Sequence, residues 1–188
     1  MPFTQITYRF RGLLITPPLI LAVFSSANEV EIDWLIWPLG VFVFFLGLLL
    51  RIWAQQHLHY RLKVRKCLTA TGPYAFIRNP VYVGNMLMYL GAVVTSELLW
   101  LLPIGLLYWF GVYSLVVRYE ERHLLEKYGE PYRRYLAEVP RWLPRAIRFR
   151  NLELINKYFL TSVVAEIHCP LLLLPYALKE LVSRWFGH

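Results

Sequence analysis

Long apolar blocks alternate with short polar ones along this chain. "WLIWPLGVFVFFLGLLLRIW" (Trp34–Trp53) and "LLWLLPIGLLYWFGVYSLVV" (Leu98–Val117) each supply the roughly 20 residues that a helix needs to cross a bilayer. Phe10–Ser25 and Pro80–Val94 read as two shorter spans. The second of these is about 22 Å long at the α-helical rise, so it belongs inside a bundle or near the headgroups at one end. The connection "TSE" (Thr95–Glu97) is tight and makes the last two helices an antiparallel hairpin. A fifth apolar stretch, Tyr158–Leu178, carries a helical stripe: Leu152, Ile155, Phe159, Val163, Ile167, Leu171 and Leu174. Glu166 and His168 lie within it, and Pro170 and Pro175 interrupt it. The pattern predicts an all-α integral membrane helical bundle. It has four spanning helices and a C-terminal helix that lies at the interface or docks on the bundle, all in one domain over residues 1–188.

Composition agrees with this reading. The chain is 57% hydrophobic and only 17% charged, fewer charges than a soluble domain carries. Trp34, Trp37 and Trp53 stand near the ends of one block, where interfacial aromatics belong. The N-terminal segment shows no clear small-residue cleavage site, and Pro17-Pro18 sit in its middle, so no cleavable signal is expected. Cys67 and Cys169 provide no disulfide framework.

Charge predicts orientation. "SANEVEID", between the first two spans, has three acids and no Lys or Arg. The next loop carries Arg61, Lys63, Arg65, Lys66 and Arg78. With four spans every Lys and Arg falls on one side, which the positive-inside rule makes cytoplasmic, together with both termini. The formal charge of +8 borders apolar spans, so it reads as a headgroup-facing collar and not as a nucleic-acid footprint.

Two polar constellations stand at the cytoplasmic edge. In "TGPYAFIRNPVYVGN" (Thr71–Asn85), Gly72-Pro73 is a turn, while Asn79-Pro80 pairs a preferred N-cap with a preferred first helical residue. The helix N-terminus and Arg78 form a seat for a carboxylate or phosphate. Gly84 and Gly91 lie on one face and permit close approach of another helix. The second constellation is Arg118, Glu120 and Glu121 after the fourth span. Acids at a helix C-terminus oppose its dipole, and such violations mark functional sites. The hairpin brings both constellations to one side. That combination suits a zwitterionic ligand: the Arg and helix start for its carboxylate, the acids for an ammonium or a ribose diol.

"GPYAFIRNPVYVG", a span hairpin, and then "RYEERHLLEKYGEPYRRYLAEVPRWLP" resemble the isoprenylcysteine carboxyl methyltransferase and phospholipid methyltransferase superfamily of membrane enzymes. The resemblance covers core motifs at residues 69–144 and leaves a C-terminal extension, 151–188, outside it. It implies methyl transfer from S-adenosylmethionine to a lipophilic acceptor, such as a prenylcysteine carboxylate or a phospholipid amine, at a cytoplasmic cofactor pocket in the bilayer. It assigns Gly72, Pro73, Tyr74, Arg78, Asn79, Tyr82 and Gly84 to the pocket. Glu120 and Glu121 would hold polar parts of the cofactor, Arg118 would face the reacting end beside Glu121, and Tyr132 and Tyr135 would belong to the cap. No metal is implied. Asn79 stands where the family usually has His, so a mechanism with a His general base there does not transfer.

Two other readings share these residues: a membrane NADPH-dependent sterol-type reductase, and a non-catalytic membrane protein retaining the fold. His57 and His59 are spaced by two, which does not place them on one helical face for a metal, and they read as headgroup contacts. His123 reads as packing in the helix after Glu121. His168 pairs with Glu166 or the backbone, or touches substrate.

Overall fold

The computed structural model describes residues 3–25, 27, 29–30, 32–58, 67–144 and 153–186. His59, the loop cations Arg61, Lys63, Arg65 and Lys66, and also Glu31, Arg145 and Leu152 lie outside the described residues. Among the described residues every regular element is helical. Three stretches are long and apolar enough to cross a membrane: Asp33–Gln55, Leu101–Tyr128 and Phe159–Ser183. Two shorter apolar ones, Arg11–Phe24 and Pro80–Thr95, accompany them. This is a helical membrane bundle.

The N-terminal segment is broken into α1 (Phe3–Arg9), α2 (Arg11–Leu14) and α3 (Thr16–Phe24). Pro17 and Pro18 begin α3, where their missing N–H groups cost nothing. The orphan carbonyl of Leu14 takes a hydrogen bond from the Tyr108 hydroxyl at 2.6 Å. α4 (Asp33–Gln55) and α5 (Pro80–Thr95) form the central pair. A Cβ on Gly47 would lie 2.5 Å from the Gly84 carbonyl oxygen, and one on Gly91 would lie 2.5 Å from the Phe44 nitrogen. Gly40 meets Thr95 and Gly91 in the same way. The expected close approach at Gly84 and Gly91 is therefore answered by Gly40 and Gly47 on the antiparallel partner, and the two backbones touch.

α6 (Leu101–Tyr128) returns beside α5 and continues well past the apolar block. Glu120 and Glu121 consequently sit two turns inside a helix. The expected clash with its C-terminal dipole does not arise, because the end of the apolar run is not the end of the helix. The helix stops at Gly129, whose φ of 62° is the left-handed conformation that glycine tolerates. α7 (Glu130–Glu138) then folds Tyr132, Tyr135 and Val139 against Leu124, Leu125 and Tyr128.

The last segment comprises α8 (Phe159–Glu166), a 3₁₀ turn at Cys169–Leu173 and α9 (Leu174–Phe186). It runs antiparallel to α4 along the whole bundle. At one end the Glu153 and Leu154 carbonyls accept from Trp53 and Gln56. At the other, Lys179 reaches the Ser25 carbonyl at 2.6 Å and Glu29 at 2.5 Å. The helix docks on the bundle and does not lie along its edge. The expected stripe is split: Phe159 and Val163 are half-buried against the core, Ile155, Ile167, Leu171 and Leu174 are exposed, and Ser162, Glu166 and Cys169 are buried. Lipid solvates the apolar face and the polar face seeks the protein. Lys179 and the N-terminal α1 lie at opposite ends of the bundle, since Tyr8 stacks on Tyr119 at 5.1 Å, near the far end of α6.

Gly47→Ala drives its Cβ into backbone on α5 and is expected to lower the melting temperature by an amount corresponding to about 1–3 kcal/mol. Gly111→Ala, with open space around it, should not lower it. Equal melting of the two variants in thermal denaturation would count against the backbone contact. In a Cys67→Ser background, cysteines at Glu29 and Ser183 should be labelled from one face of sealed vesicles and a cysteine at Glu130 from the other; labelling of all three from one face contradicts the traverse.

Candidate active site

The site is built where α5 begins, below Glu120 and Glu121 of α6. Asn79 occupies the N-cap position, but its side chain makes no capping bond. Its amide Nδ2 donates to the Arg141 carbonyl at 3.1 Å instead. Beside it the Arg78 N–H donates to the Pro140 carbonyl at 2.9 Å. The start of α5 thus pairs with Val139–Pro144, the segment that follows α7.

That pairing places a residue absent from the predicted set. Arg141 grips Glu121 with two bonds, Nε at 3.0 Å and Nη2 at 2.5 Å. Arg78 Nη1 reaches the same carboxylate at 2.9 Å. Two guanidinium groups therefore share one carboxylate, leaving one positive charge unmatched in this cluster. Among the described residues Arg78 Nε is buried without a hydrogen-bond partner, which is costly for a charged donor. The motif "VPRWLP" contains Arg141, and only the fold of α7 shows that it returns to Arg78.

Glu120 stands beside this cluster. It accepts from the Tyr82 hydroxyl at 2.8 Å. Tyr82 stacks on Tyr113 at 4.7 Å, and Tyr113 on Trp109 at 4.6 Å. Trp142, next to Arg141, closes on Trp109 at 5.5 Å. An aromatic wall thus runs from the carboxylates towards the apolar bundle. Tyr132 lies close enough for Glu121, Arg78 and Arg141 to act on its hydroxyl, whose pKa burial pushes up. Tyr135 donates to the Tyr74 carbonyl at 2.8 Å, which ties α7 to the Gly-Pro-Tyr turn.

The remaining predicted residues are placed elsewhere. Arg118 is exposed and forms no ion pair among the described residues, so the structure does not bring it to the carboxylates. Gly84 faces Gly47 and the Arg51 side chain, as a packing position behind the site. Gly72 has φ 57° and covers the His57 ring, with Pro73 buried beside it. The Tyr74 ring packs on Ala54 and Leu58. His57 is not at the headgroups: it is buried, between Thr71 Oγ1 at 3.0 Å and the Glu153 carbonyl at 3.1 Å. His123 and His168 are exposed. Among the described residues no three of His, Cys, Asp or Glu form a metal-binding group.

Behind the site Arg51 forms a bidentate pair with Glu166, Nε at 3.0 Å and Nη2 at 2.9 Å. Gln55 and Cys169 complete the carboxylate's partners at 2.9 and 3.1 Å. Arg51 also donates to Asn85, which donates in turn to the Tyr113 hydroxyl at 3.1 Å. The extension is thereby bonded to the same aromatic wall as Glu120.

The profile of the phospholipid methyltransferase family matches residues 35–131, just over half of the chain, and the chain belongs to that family. It is similar to the nickel-cobalt-cadmium resistance protein NccN of Alcaligenes xylosoxydans xylosoxydans, with 26% identity over 144 residues, 73% of this chain and 65% of that protein. It is also similar to the cobalt-zinc-cadmium resistance protein CzcN of Cupriavidus metallidurans, with 29% identity over 117 residues, 62% of this chain and 53% of that one. The chain thus spans less than two thirds of the length of both relatives. No solved structure matches it.

Arg141→Ala removes a charged grip from Glu121 and should loosen Val139–Pro144. The expected result is faster hydrogen exchange at the Arg78 amide, with the amides in the middle of α5 unchanged. Unaltered exchange at Arg78 would show that the segment is held without Arg141.

Proposed function

We propose that this protein is an integral membrane methyltransferase that moves a methyl group from S-adenosylmethionine to a lipophilic acceptor at the cytoplasmic membrane face. Family membership supports the reaction class. The observation that carries the site is the Arg78–Glu121–Arg141 cluster at the start of α5, which has one positive charge more than its carboxylate matches. The cofactor's methionine carboxylate fits that excess, and the buried, unpartnered Arg78 Nε offers it a donor. Bound there, S-adenosylmethionine supplies an electrophilic methyl on a sulfonium.

The chain's own residues bind and orient. Arg78 and Arg141 hold the carboxylate, with the N-terminus of α5 beneath it. Glu121 and Glu120 take the ammonium or ribose hydroxyls. Asn79 holds the Arg141 backbone in place. Tyr82 fixes the Glu120 carboxylate, while Trp109, Tyr113 and Trp142 exclude water on the apolar side. Gly72, Pro73 and Tyr74, with Tyr132 and Tyr135, support the cap. Held there, the cofactor would supply a methyl to the acceptor's lone pair and would itself be left as a neutral thioether that keeps the C–S bonding pair. Orientation and a dry, charged surround carry the rate, so no His at position 79 is required. The positive loops assign the site end of the bundle to the cytoplasm and Lys179 to the opposite face. The acceptor is an amine or carboxylate at the head of an amphiphile. The relatives are named for metal resistance, and nothing in the geometry extends direct metal binding to this chain.

Calorimetry with S-adenosylmethionine tests the reading. Binding to the wild type is expected, weaker by about tenfold or more in Glu121→Ala, because a charge-assisted partner is lost. Asn79→Asp should also weaken binding, since an added negative charge faces the cofactor carboxylate, whereas Asn79→His should be tolerated. Wild-type affinity in folded Glu121→Ala and Asn79→Asp variants would remove the cofactor from this cluster.

A further inference from the structure

The N-terminal segment brings a further guanidinium to the site region, on a part of the chain outside the matched family region. Arg11 is half-buried at the start of α2. Its guanidinium lies 4.4 Å over the Tyr8 ring, and Nη1 donates to the Tyr8 carbonyl at 2.9 Å. Among the described residues it forms no ion pair. Tyr8, beneath it, packs on the buried cluster that contains Tyr82 and Tyr113. Glu120, whose carboxylate accepts from Tyr82, is the opposite charge that acts on the guanidinium. The neighbouring Gly12 opens onto free space.

A charge withdrawn from water at a membrane edge is normally paired. Here stacking on Tyr8 and the Tyr8 carbonyl fix the plane of the guanidinium and leave the rest of its fork of donors for another group. A planar fork held this way matches a carboxylate or phosphate with two parallel bonds. Because Tyr8 packs on the cluster of Tyr82 and Tyr113, the guanidinium over its ring stands beside that aromatic wall.

We propose that Arg11 is a specificity-determining residue that binds the anionic group, phosphate or carboxylate, of the acceptor amphiphile beside Glu120. This rests on the methyl-transfer reading of the same site. It gives the N-terminal segment the acceptor, and leaves the cofactor to α5, α6 and the segment after α7.

The test is calorimetry in neutral maltoside micelles with three probes: dihexanoyl phosphatidic acid, S-farnesyl-N-acetylcysteine and the uncharged octyl glucoside. One of the two anionic probes should bind the wild type saturably and at least about tenfold more tightly than the neutral one, the difference that one charge-assisted contact makes. The probe that binds identifies phosphate or carboxylate as the recognised group. Arg11→Gln should lose about tenfold for that probe, and Arg11→Lys should retain part of the affinity because the charge remains but not the fork. Both variants should bind S-adenosylmethionine as the wild type does. Equal affinity of the wild type for anionic and neutral probes overturns the proposal, and so does wild-type affinity in Arg11→Gln. The first comparison needs no variant and stands even where Arg11→Gln does not fold. A wild type that binds an anionic probe through Arg11 but not S-adenosylmethionine would sink the methyl-transfer reading alone.

Discussion

Backbone contact between α4 and α5 is the constraint on which the rest of the structure depends. Gly40, Gly47, Gly84 and Gly91 remove four side chains from one interface. In a bilayer two helices gain little by hiding apolar surface from each other, because lipid is equally apolar; dispersion between close backbones must hold them instead. The approach at Gly84 brings the Arg51 stem against α5, and from there Arg51 reaches Asn85. It also sets where α5 begins, and so where Arg78 and Asn79 stand. A larger residue at Gly47 or Gly84 would displace the floor of the site along with the helix.

Arg51 and Glu166 carry the second constraint. Each charge would be expensive within an apolar bundle without the other, and each is bound by further donors or acceptors until its capacity is met. The pair fixes the register of the final segment on α4. It also links that segment, through Asn85 and Tyr113, to the wall beside Glu120. The extension is outside the matched family region, yet it is bonded into the centre of the molecule.

Much of this was legible in the sequence. Apolar blocks located α4 and the start of α6 to within a few residues, and the glycine spacing announced a close helix contact. The motif residues Arg78, Asn79, Tyr82, Glu120 and Glu121 do converge. Other features were not legible, for physical reasons. A helix that leaves the membrane keeps its hydrogen bonds without apolar residues, so composition placed the end of α6 too early. The stripe in the last segment did not say which face would pack, because an apolar residue suits both the core and lipid: Phe159 and Val163 pack on the core, while Ile167, Leu171 and Leu174 are exposed. Asn79 makes no capping bond; its Nδ2 donates instead to the Arg141 carbonyl of a distant segment, which the local sequence could not show. Arg118 and Arg141 carry the same charge, and only the return of the chain after α7 shows that Arg141 meets Glu121. Arg11 lay in an unremarkable basic start and gained meaning only through its stacking on Tyr8.

The pairing of Arg78 and Asn79 with Pro140 and Arg141 also bears on time. Glu121 is covered by the same short segment whose backbone is bonded to the start of α5. For that segment to withdraw, two hydrogen bonds and a charged grip must break together, while the Trp142 ring leaves Trp109. Individually each contact reopens quickly; jointly they make withdrawal a rare, concerted event. A group held against Glu121 beneath that segment would then leave only as the segment withdraws.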